Sequence, residues 1–313
     1  MNDLGEKDIF ECCNCLQAAM YWICKKNGMN PLFVLINGFS IEYGKKRGTK
    51  LWEILRLNTP LGFEEYYLST CGLEFKSAEY KLKNPQELDF ENSEAVLIWE
   101  DAYYCPWNDA YGKTHISHFC IAESYNDISR AFICNDPYLK KNEVVFPLAV
   151  LLESKYRVYE IKRTNIKNSI VIEDALKILF SIIKEEDIHG NYNRLVNDIR
   201  KAKKREDLFE NDNPQNCNFN IFTKQISDCY KGLAFLFVHE TRIRSRGIIY
   251  DLLIQANSIW LKINFILIRM NLKSKKELRS CDGLIDVLTK AESIDIEILK
   301  NVREGLWADI TLK

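Results

Sequence analysis

The sequence predicts an α+β fold in which a mixed first domain, residues 1–163, is followed by an all-helical domain, residues 164–313. Up to about residue 163, short helical stretches alternate with runs rich in β-branched and aromatic residues. Beyond that point apolar residues recur almost everywhere at helical spacing. With 313 residues, of which 47% are hydrophobic, the chain is long enough for two ordinary domains, each with its own core.

Short apolar runs in the first domain predict four strands: 95–99, 118–124, 130–134 and 156–162. The second domain has apolar residues at helical spacing in five segments: 171–187, 192–206, 226–244, 247–270 and 283–292. The segment 209–218 (FENDNPQNCN) has the Asn, Asp and Pro content of a connector.

The charge pattern limits the classes of partner. A net charge of -1 gives no overall field that would attract nucleic acid or a membrane surface, so we expect neither as a partner. The most apolar late stretch, 252–270, is interrupted by Gln, Asn, Lys and Arg. Because a membrane-spanning helix needs about 20 mostly apolar residues, we expect this one inside a soluble helical bundle.

The start of the chain, MNDLGEKDIFECC, has neither the basic nor the apolar region of a secretory signal. The chain also contains eleven cysteines, an odd number. We therefore expect a cytoplasmic protein with reduced thiols rather than a disulfide framework.

Three of the cysteines precede a helix that begins in ECCNCLQAAMYW (11–22). Asn14 is a good N-cap, the apolar positions 16, 19, 20 and 23 form one face, and Gly28 suits the left-handed end of the helix. Cys15 is then the first helical residue, where backbone N–H groups and the positive end of the helix dipole favour a thiolate. The same amides can donate to an oxyanion.

Two other interpretations of these cysteines stay open on the helix alone. Cysteine is often a small buried residue, which is the expected role of Cys24. Cys12, Cys13 and Cys15 also form a C-C-x-C pattern, but adjacent cysteines rarely reach one tetrahedral ion, and no second C-x-x-C or H-x-x-x-H element is present. We therefore predict no metal.

A nucleophilic cysteine needs a base and a group that orients the base. The chain has four histidines: a loop position is expected for His189, and His239 is expected at a helix end. His118 begins a strand that leads through a turn, centred on Asp127, into a strand that ends at Asp136. That register places His118 directly opposite Asp136, about 4.5–5.5 Å apart at Cβ. One hairpin would then supply base and orienting acid.

These residues together carry a resemblance to a known family. NCLQAAMYWICKKNG (14–28) resembles the nucleophile helix of C39-type papain-like cysteine peptidases, and HFCIAESYNDISRAFICNDP (118–137) resembles their histidine block. The segment AVLIWEDAYYCPWNDAYGKTHISHF (95–119) resembles the N-terminal domain of butirosin biosynthesis protein H and its relatives. The resemblance covers roughly residues 9–160 and implies a papain-like, C39-like fold.

The relatives are similar to acyltransferases of antibiotic assembly, which move an acyl group from a carrier-protein thioester to an amine. The resemblance thus implies Cys15 as nucleophile, His118 as base and Asp136 as orienting acid. Unlike C39 peptidases, this chain has Leu16 after Cys15 and no Gln before it. This departure leaves the side-chain part of the oxyanion hole unassigned.

The leading functional prediction is a cysteine-dependent amide synthase that needs no cofactor. Its predicted partners are an acyl-loaded phosphopantetheinyl carrier protein and a small-molecule amine. The Asn-, Lys- and Ile-rich composition resembles that of proteins from low-GC anaerobes, and on this resemblance the polythioamide (closthioamide-type) amide synthase is one specific alternative. The same triad would also suit a C39-like peptidase or a thioester or amide hydrolase, and a non-catalytic binding module is a third alternative.

The segment WEDAYYCPW (99–107) is expected beside His118 as an aromatic, acidic wall. Within it and the following THIS segment, the predicted substrate-binding residues are Asp101, Tyr104, Trp107 and His115. Aromatic side chains would cover the acyl chain, and Glu100 or Asp101 would hold a second ammonium group of a diamine acceptor.

Overall fold

A computed structural model describes residues 9–36, 38–43, 55–57, 62–154, 156–164, 171–209, 218–239, 241–243, 245–273 and 281–308. The chain divides into two compact units, and each takes two stretches of sequence. We call Met1–Val34 with Leu61–Ile170 the sheet unit, and Leu35–Pro60 with Val171–Lys313 the helical unit. The protein is of the α+β class, as predicted. Relative to the predicted domains 1–163 and 164–313, the difference lies mainly in residues 35–60.

The sheet unit is built on one six-stranded sheet, in which each hydrogen-bonded pair is antiparallel. Its strands are β3 (Leu73–Ser77), β4 (Ala95–Asp101), β5 (Ser117–Asn126), β6 (Ala131–Asp136), β7 (Lys141–Pro147) and β8 (Arg157–Arg163), in the order β3-β8-β4-β5-β6-β7. The four predicted strands are the inner ones. The two edge strands, β3 and β7, were not predicted from the sequence.

Side chains alternate between the two faces of this sheet. On one face, Trp99 and Phe119 lie opposite each other in register and stack with ring centroids 5.6 Å apart. On the other face, Ile98 and Cys120 pack into a core with Phe132 and other buried residues. The sheet is therefore covered on both sides along β4 and β5.

Three helices belong to the sheet unit: α1 (Cys15–Lys26), α2 (Phe63–Cys71) and α3 (Leu148–Glu153). Helix α1 packs on β5, and Phe63 at the start of α2 touches the rings of Phe75 and Phe119. A short 3-10 turn, Ala102–Tyr104, follows β4 and begins the long connection to β5. The start of α1 and the start of β5 position the candidate site.

The register of the β5–β6 hairpin is two residues away from the predicted one. Ile121 faces Asn135 and Ala122 faces Cys134, and a bulge lies between Ala122 and Ser124. His118 is therefore diagonal to Asp136 rather than directly opposite it, so the predicted pairing was wrong. Because side chains repeat with a period of two, a slip of two residues keeps both on the same face.

The helical unit contains six helices among the described residues: α4 (Ile172–Ile182), α5 (Glu185–Lys201), α6 (Arg205–Leu208), α7 (Asn218–His239), α8 (Arg246–Lys273) and α9 (Asp282–Ala308). It also holds a two-stranded antiparallel sheet of β1 (Ile41–Tyr43) and β2 (Leu55–Leu57). His239 ends α7, as predicted. His189 lies inside α5, so its predicted loop position was wrong. The predicted connector 209–218 lies, apart from its two end residues, outside the described part of the chain.

Two of the polar residues that interrupt the apolar helix α8, Asn257 and Asn264, pair with α7. Asn257 Nδ2 donates to the carbonyl oxygen and to Oγ of Ser227, both at 2.8 Å, and Asn264 Nδ2 donates to Thr223 Oγ1 at 2.7 Å. By length and composition alone, Arg246–Leu272 would suffice to cross a membrane. Core helices of soluble proteins have the same length and composition, so this property does not decide where the protein resides.

A buried carboxyl group lies at the centre of the helical unit. Asp295, which is fully buried, accepts hydrogen bonds from Ser40 Oγ at 2.6 Å, Tyr192 Oη at 2.8 Å and Tyr230 Oη at 2.5 Å. Burial raises the pKa of Asp295 to about 6, and the hydrogen bonds from the three hydroxyls act in the opposite direction. The cluster links Ser40, which precedes β1, to Tyr192 of α5, Tyr230 of α7 and Asp295 of α9, all within the helical unit.

Candidate functional site

The start of α1 has the geometry that the sequence predicted. Asn14 Oδ1 accepts from the backbone N–H of Gln17 at 2.9 Å, and Gln17 Oε1 accepts from the backbone N–H of Asn14 at 2.9 Å. This capping box fixes the first turn. Among the described residues it leaves the amides of Cys15 and Leu16 as the first-turn donors that point out of the helix.

Gln17 itself is held at both ends. Its Oε1 is used in the capping box, and its Nε2 donates to the carbonyl oxygen of Val34 at 2.6 Å. The side chain is buried. Gln17 is therefore a structural residue, and the oxyanion donors that α1 offers are backbone amides.

His118 and Asp136 meet at the end of β6. His118 Nε2 lies 2.6 Å from Asp136 Oδ2, and both side chains are buried. Pro137 follows directly, and β6 ends at Asp136 as expected. Since Asp136 engages Nε2, Nδ1 is the ring nitrogen that remains for another partner.

Cys15 lies next to this imidazole. Its sulfur lies 4.0 Å from the carbonyl oxygen of Ser117, the residue before His118, and its side chain is partly exposed. Burial lowers the pKa of His118, but hydrogen bonds to Asp136 and Cys15 outweigh burial and raise it to about 10. Cys15, His118 and Asp136 therefore form one connected group in which the imidazolium form is favoured.

Asp136 is held by more than His118. The indole Nε1 of Trp107 donates to Oδ2 at 2.9 Å, and the backbone N–H of Leu139 donates to Oδ1 at 3.0 Å. Burial alone would raise the pKa of Asp136, but the contact with His118 and these donors bring it below its usual value. Trp107 also packs edge-on against Phe146, with centroids 5.5 Å apart. Its contacts are those of a residue that orients Asp136, a role that the sequence did not suggest.

The other predicted binding residues lie together beside the site. A cavity of about 940 Å³ is lined by Asp101, Tyr104 and His115, and also by Ser117 and Arg157. Asp101 Oδ2 lies 2.6 Å from His115 Nδ1, and His115 stacks on Tyr103 with centroids 4.3 Å apart. Ser117, the residue before His118, lines the cavity, whereas neither Cys15 nor His118 does.

Glu100 also lines the cavity, but it does not offer its carboxylate to a ligand in the way that the sequence suggested. It faces His118 in the register between β4 and β5 and is 1% exposed. Each of its carboxylate oxygens exposes less than 1 Å². An ammonium group in the cavity would therefore meet Asp101, and not the oxygens of Glu100.

No metal centre competes with this interpretation in the ranges that the structure describes. No group of three or more His, Cys, Asp or Glu side chains there is arranged to hold an ion. Cys12 and Cys13 are buried, and none of the described cysteines is in a disulfide. Neither a protein-family model nor a curated protein matches this chain in sequence.

Proposed function

We propose that the sheet unit is a papain-like, C39-like cysteine acyltransferase that forms amide bonds. The single observation that carries the proposal is the contact of His118 Nε2 with Asp136 Oδ2 at 2.6 Å, with the Cys15 sulfur at the start of α1 lying 4.0 Å from the carbonyl oxygen of the preceding residue, Ser117. A nucleophile, a base and an orienting acid in this order are what covalent acyl transfer requires. The buried, multiply held Asp136 keeps the imidazole in one orientation.

In the first half-reaction, the Cys15 thiolate attacks the thioester carbon of an acyl group on a phosphopantetheinyl carrier protein. The amides of Cys15 and Leu16 hold the oxyanion of the tetrahedral intermediate. The intermediate collapses, the C–S bond to the carrier breaks, and the departing thiolate takes a proton from His118. The products are an acyl-Cys15 enzyme and a carrier with a free thiol.

In the second half-reaction, an amine attacks the acyl-Cys15 carbonyl and gives a proton to His118. The C–S bond to Cys15 then breaks, and the amide leaves while the Cys15 thiolate and the His118 imidazolium are restored. No cofactor takes part in either step. This cycle, with a carrier protein and a small amine as partners, is suited to antibiotic assembly in the cytoplasm.

The cavity of about 940 Å³ beside Ser117 gives an acceptor molecule room to bind, as amide formation requires. In this proposal the Asp101–His115 pair and Tyr104 hold the amine, and Trp99 offers an apolar wall. A peptidase or thioester hydrolase with the same triad is the second candidate, because only the second nucleophile differs.

The test is intact-protein mass spectrometry after mixing the full chain with acyl-loaded carrier proteins. We expect the acyl mass on wild type before any amine is added, no such mass on Cys15→Ala, and normal loading of the control Cys71→Ala. Added amines should then convert the acyl-enzyme into amide. Free acid formed at the same rate whatever amine is present would make the protein a hydrolase.

A further inference from the structure

Glu100 is a buried acidic residue that the cycle described above does not use. It lies on β4 directly opposite His118 on β5, so both side chains point to the same face of the sheet. Facing residues in an antiparallel pair have Cβ atoms about 4.5–5.5 Å apart. The carboxyl group of Glu100 is therefore held in the immediate neighbourhood of the imidazole.

The fold leaves this carboxyl group without a hydrogen-bond partner among the described residues. The thiols of Cys105 and Cys120 lie close by, but a thiol is a weak donor, and neither meets the geometry of a hydrogen bond to Glu100. A buried and unpaired carboxylate is costly, and an apolar residue would avoid that cost.

A second buried glutamate of the same sheet shows how this fold satisfies such a group. Glu160 on β8 is 5% exposed, and its Oε1 accepts from Lys81 Nζ at 2.6 Å and from the backbone N–H of Asp89 at 2.8 Å. In the described part of the chain, Glu100 accepts no hydrogen bond from a cation or an amide. This difference indicates that neither packing nor a hydrogen-bonded ion pair accounts for the presence of a buried glutamate at position 100.

The charged groups that face Glu100 are few. His118 on β5 offers a positive charge, Asp136 on β6 offers a negative one, and the thiols of Cys105 and Cys120 complete the surroundings. Burial raises the pKa of Glu100 to about 7, and the neighbouring His118 limits that rise. His118 is thus the one counter-charge that the described residues place against Glu100.

We propose that Glu100 is a positioning residue for His118, whose carboxylate supplies a second negative charge that holds the imidazole in its protonated form. Asp136 fixes the ring through Nε2, and Glu100 acts by charge alone, across the strand pair. In the resting protein the imidazolium is then matched by the two carboxylates, Asp136 and Glu100. This inference rests on the proposed function only in that His118 acts there as the base.

The test follows the ionisation of His118 directly. The chain has four histidines, so labelling with ¹³C-histidine gives four resolvable ring signals, which single His→Gln variants assign. The titration is done on the full-length chain in a Cys15→Ala background, which removes the thiolate from the comparison. Glu100→Gln should lower the pKa of His118 by about one unit or more, the size expected for a charge at this distance.

Two further variants separate charge from structure. Glu100→Met, which has similar volume and no charge, should lower the pKa of His118 as Glu100→Gln does, whereas Glu100→Asp should keep most of the wild-type value. The matched control is Glu153→Gln, which removes an exposed carboxylate from the wall of the same cavity and should leave His118 unchanged.

An unchanged pKa of His118 in both neutral variants would overturn the proposal, and so would an equal fall in Glu100→Asp. Neither neutral variant should fail to fold, because each removes a buried carboxylate that has no hydrogen-bond partner among the described residues. The titration needs no substrate. If the protein never loads an acyl group, the proposed function is refuted and the titration result still holds. If the protein loads an acyl group but the pKa of His118 does not change in the neutral variants, only the role of Glu100 is refuted.

Discussion

The substitution Asp136→Asn removes the negative charge at His118 Nε2 and keeps the size of the side chain. In the wild type the pKa of His118 is about 10, compared with an ordinary 6.5. That difference is about 3.5 pKa units, and at about 1.36 kcal/mol per unit it favours the folded imidazolium by about 5 kcal/mol. Cys15 shares this effect, so we expect Asp136→Asn to remove about 2–4 kcal/mol of it.

The sign of the pH dependence follows from the direction of the pKa change. A base whose folded pKa lies above its unfolded value contributes stability that is complete below the unfolded pKa and is lost as the pH rises through the folded pKa. For His118 the contribution should be complete below pH 6.5 and lost as the pH approaches 10. In Asp136→Asn most of this slope should disappear.

The assay is urea unfolding at half-unit steps from pH 6 to pH 10, with the free energy of unfolding compared between wild type and Asp136→Asn. The difference should be largest near pH 6 and should shrink toward pH 10. Asp127→Asn, in the exposed turn of the same hairpin, is the control and should follow wild type. A difference that stays constant with pH would show that the His118–Asp136 contact does not govern the ionisation of His118.

Three other outcomes are expected. Limiting iodoacetamide at neutral pH should label Cys15 first by peptide mapping, and preferential labelling of another cysteine would move the nucleophile. Trp107→Phe removes a donor to Asp136 worth about 1.5–3 kcal/mol, so acyl transfer should slow by about 10- to 100-fold; a rise in KM alone would instead make Trp107 a ligand contact. Tyr230→Phe removes a donor to Asp295 and should destabilise the helical unit by about 1–3 kcal/mol in urea unfolding. An unchanged urea midpoint would mean that this hydroxyl is dispensable.

Local rules were enough to place helix α1. The N-cap at Asn14 depends only on residues within one turn of it, and so does the left-handed conformation of Gly28, with φ of 66°. The edge strands β3 and β7 were missed because an edge strand carries charged and polar residues that blur its alternation, as KNEVVFP does.

The contacts of the site were harder to predict in detail. The sequence brought His118 and Asp136 to one hairpin, but Asn126 faces Ala131, so the turn is not centred on Asp127 and the register beside it is three residues away from the predicted one. The bulge between Ala122 and Ser124 reduces this difference to two residues toward the site. The role of Trp107 depends on how a long connection returns toward the end of β6. Its partner Asp136 is 29 residues away in sequence, and no periodicity spans such a distance.

The interleaving of the two units has a consequence for synthesis of the protein. Residues 35–60 leave the ribosome well before residues 171–313, with which they form one compact unit. At about 5–20 residues per second, this segment waits on the order of ten seconds for its partners. Phe39 and Ile41, fully buried in the finished chain, are exposed to chaperones and to other nascent chains during that interval. A gene shortened after codon 163 would make that exposure permanent, so the sheet unit is better expressed with the whole chain than alone.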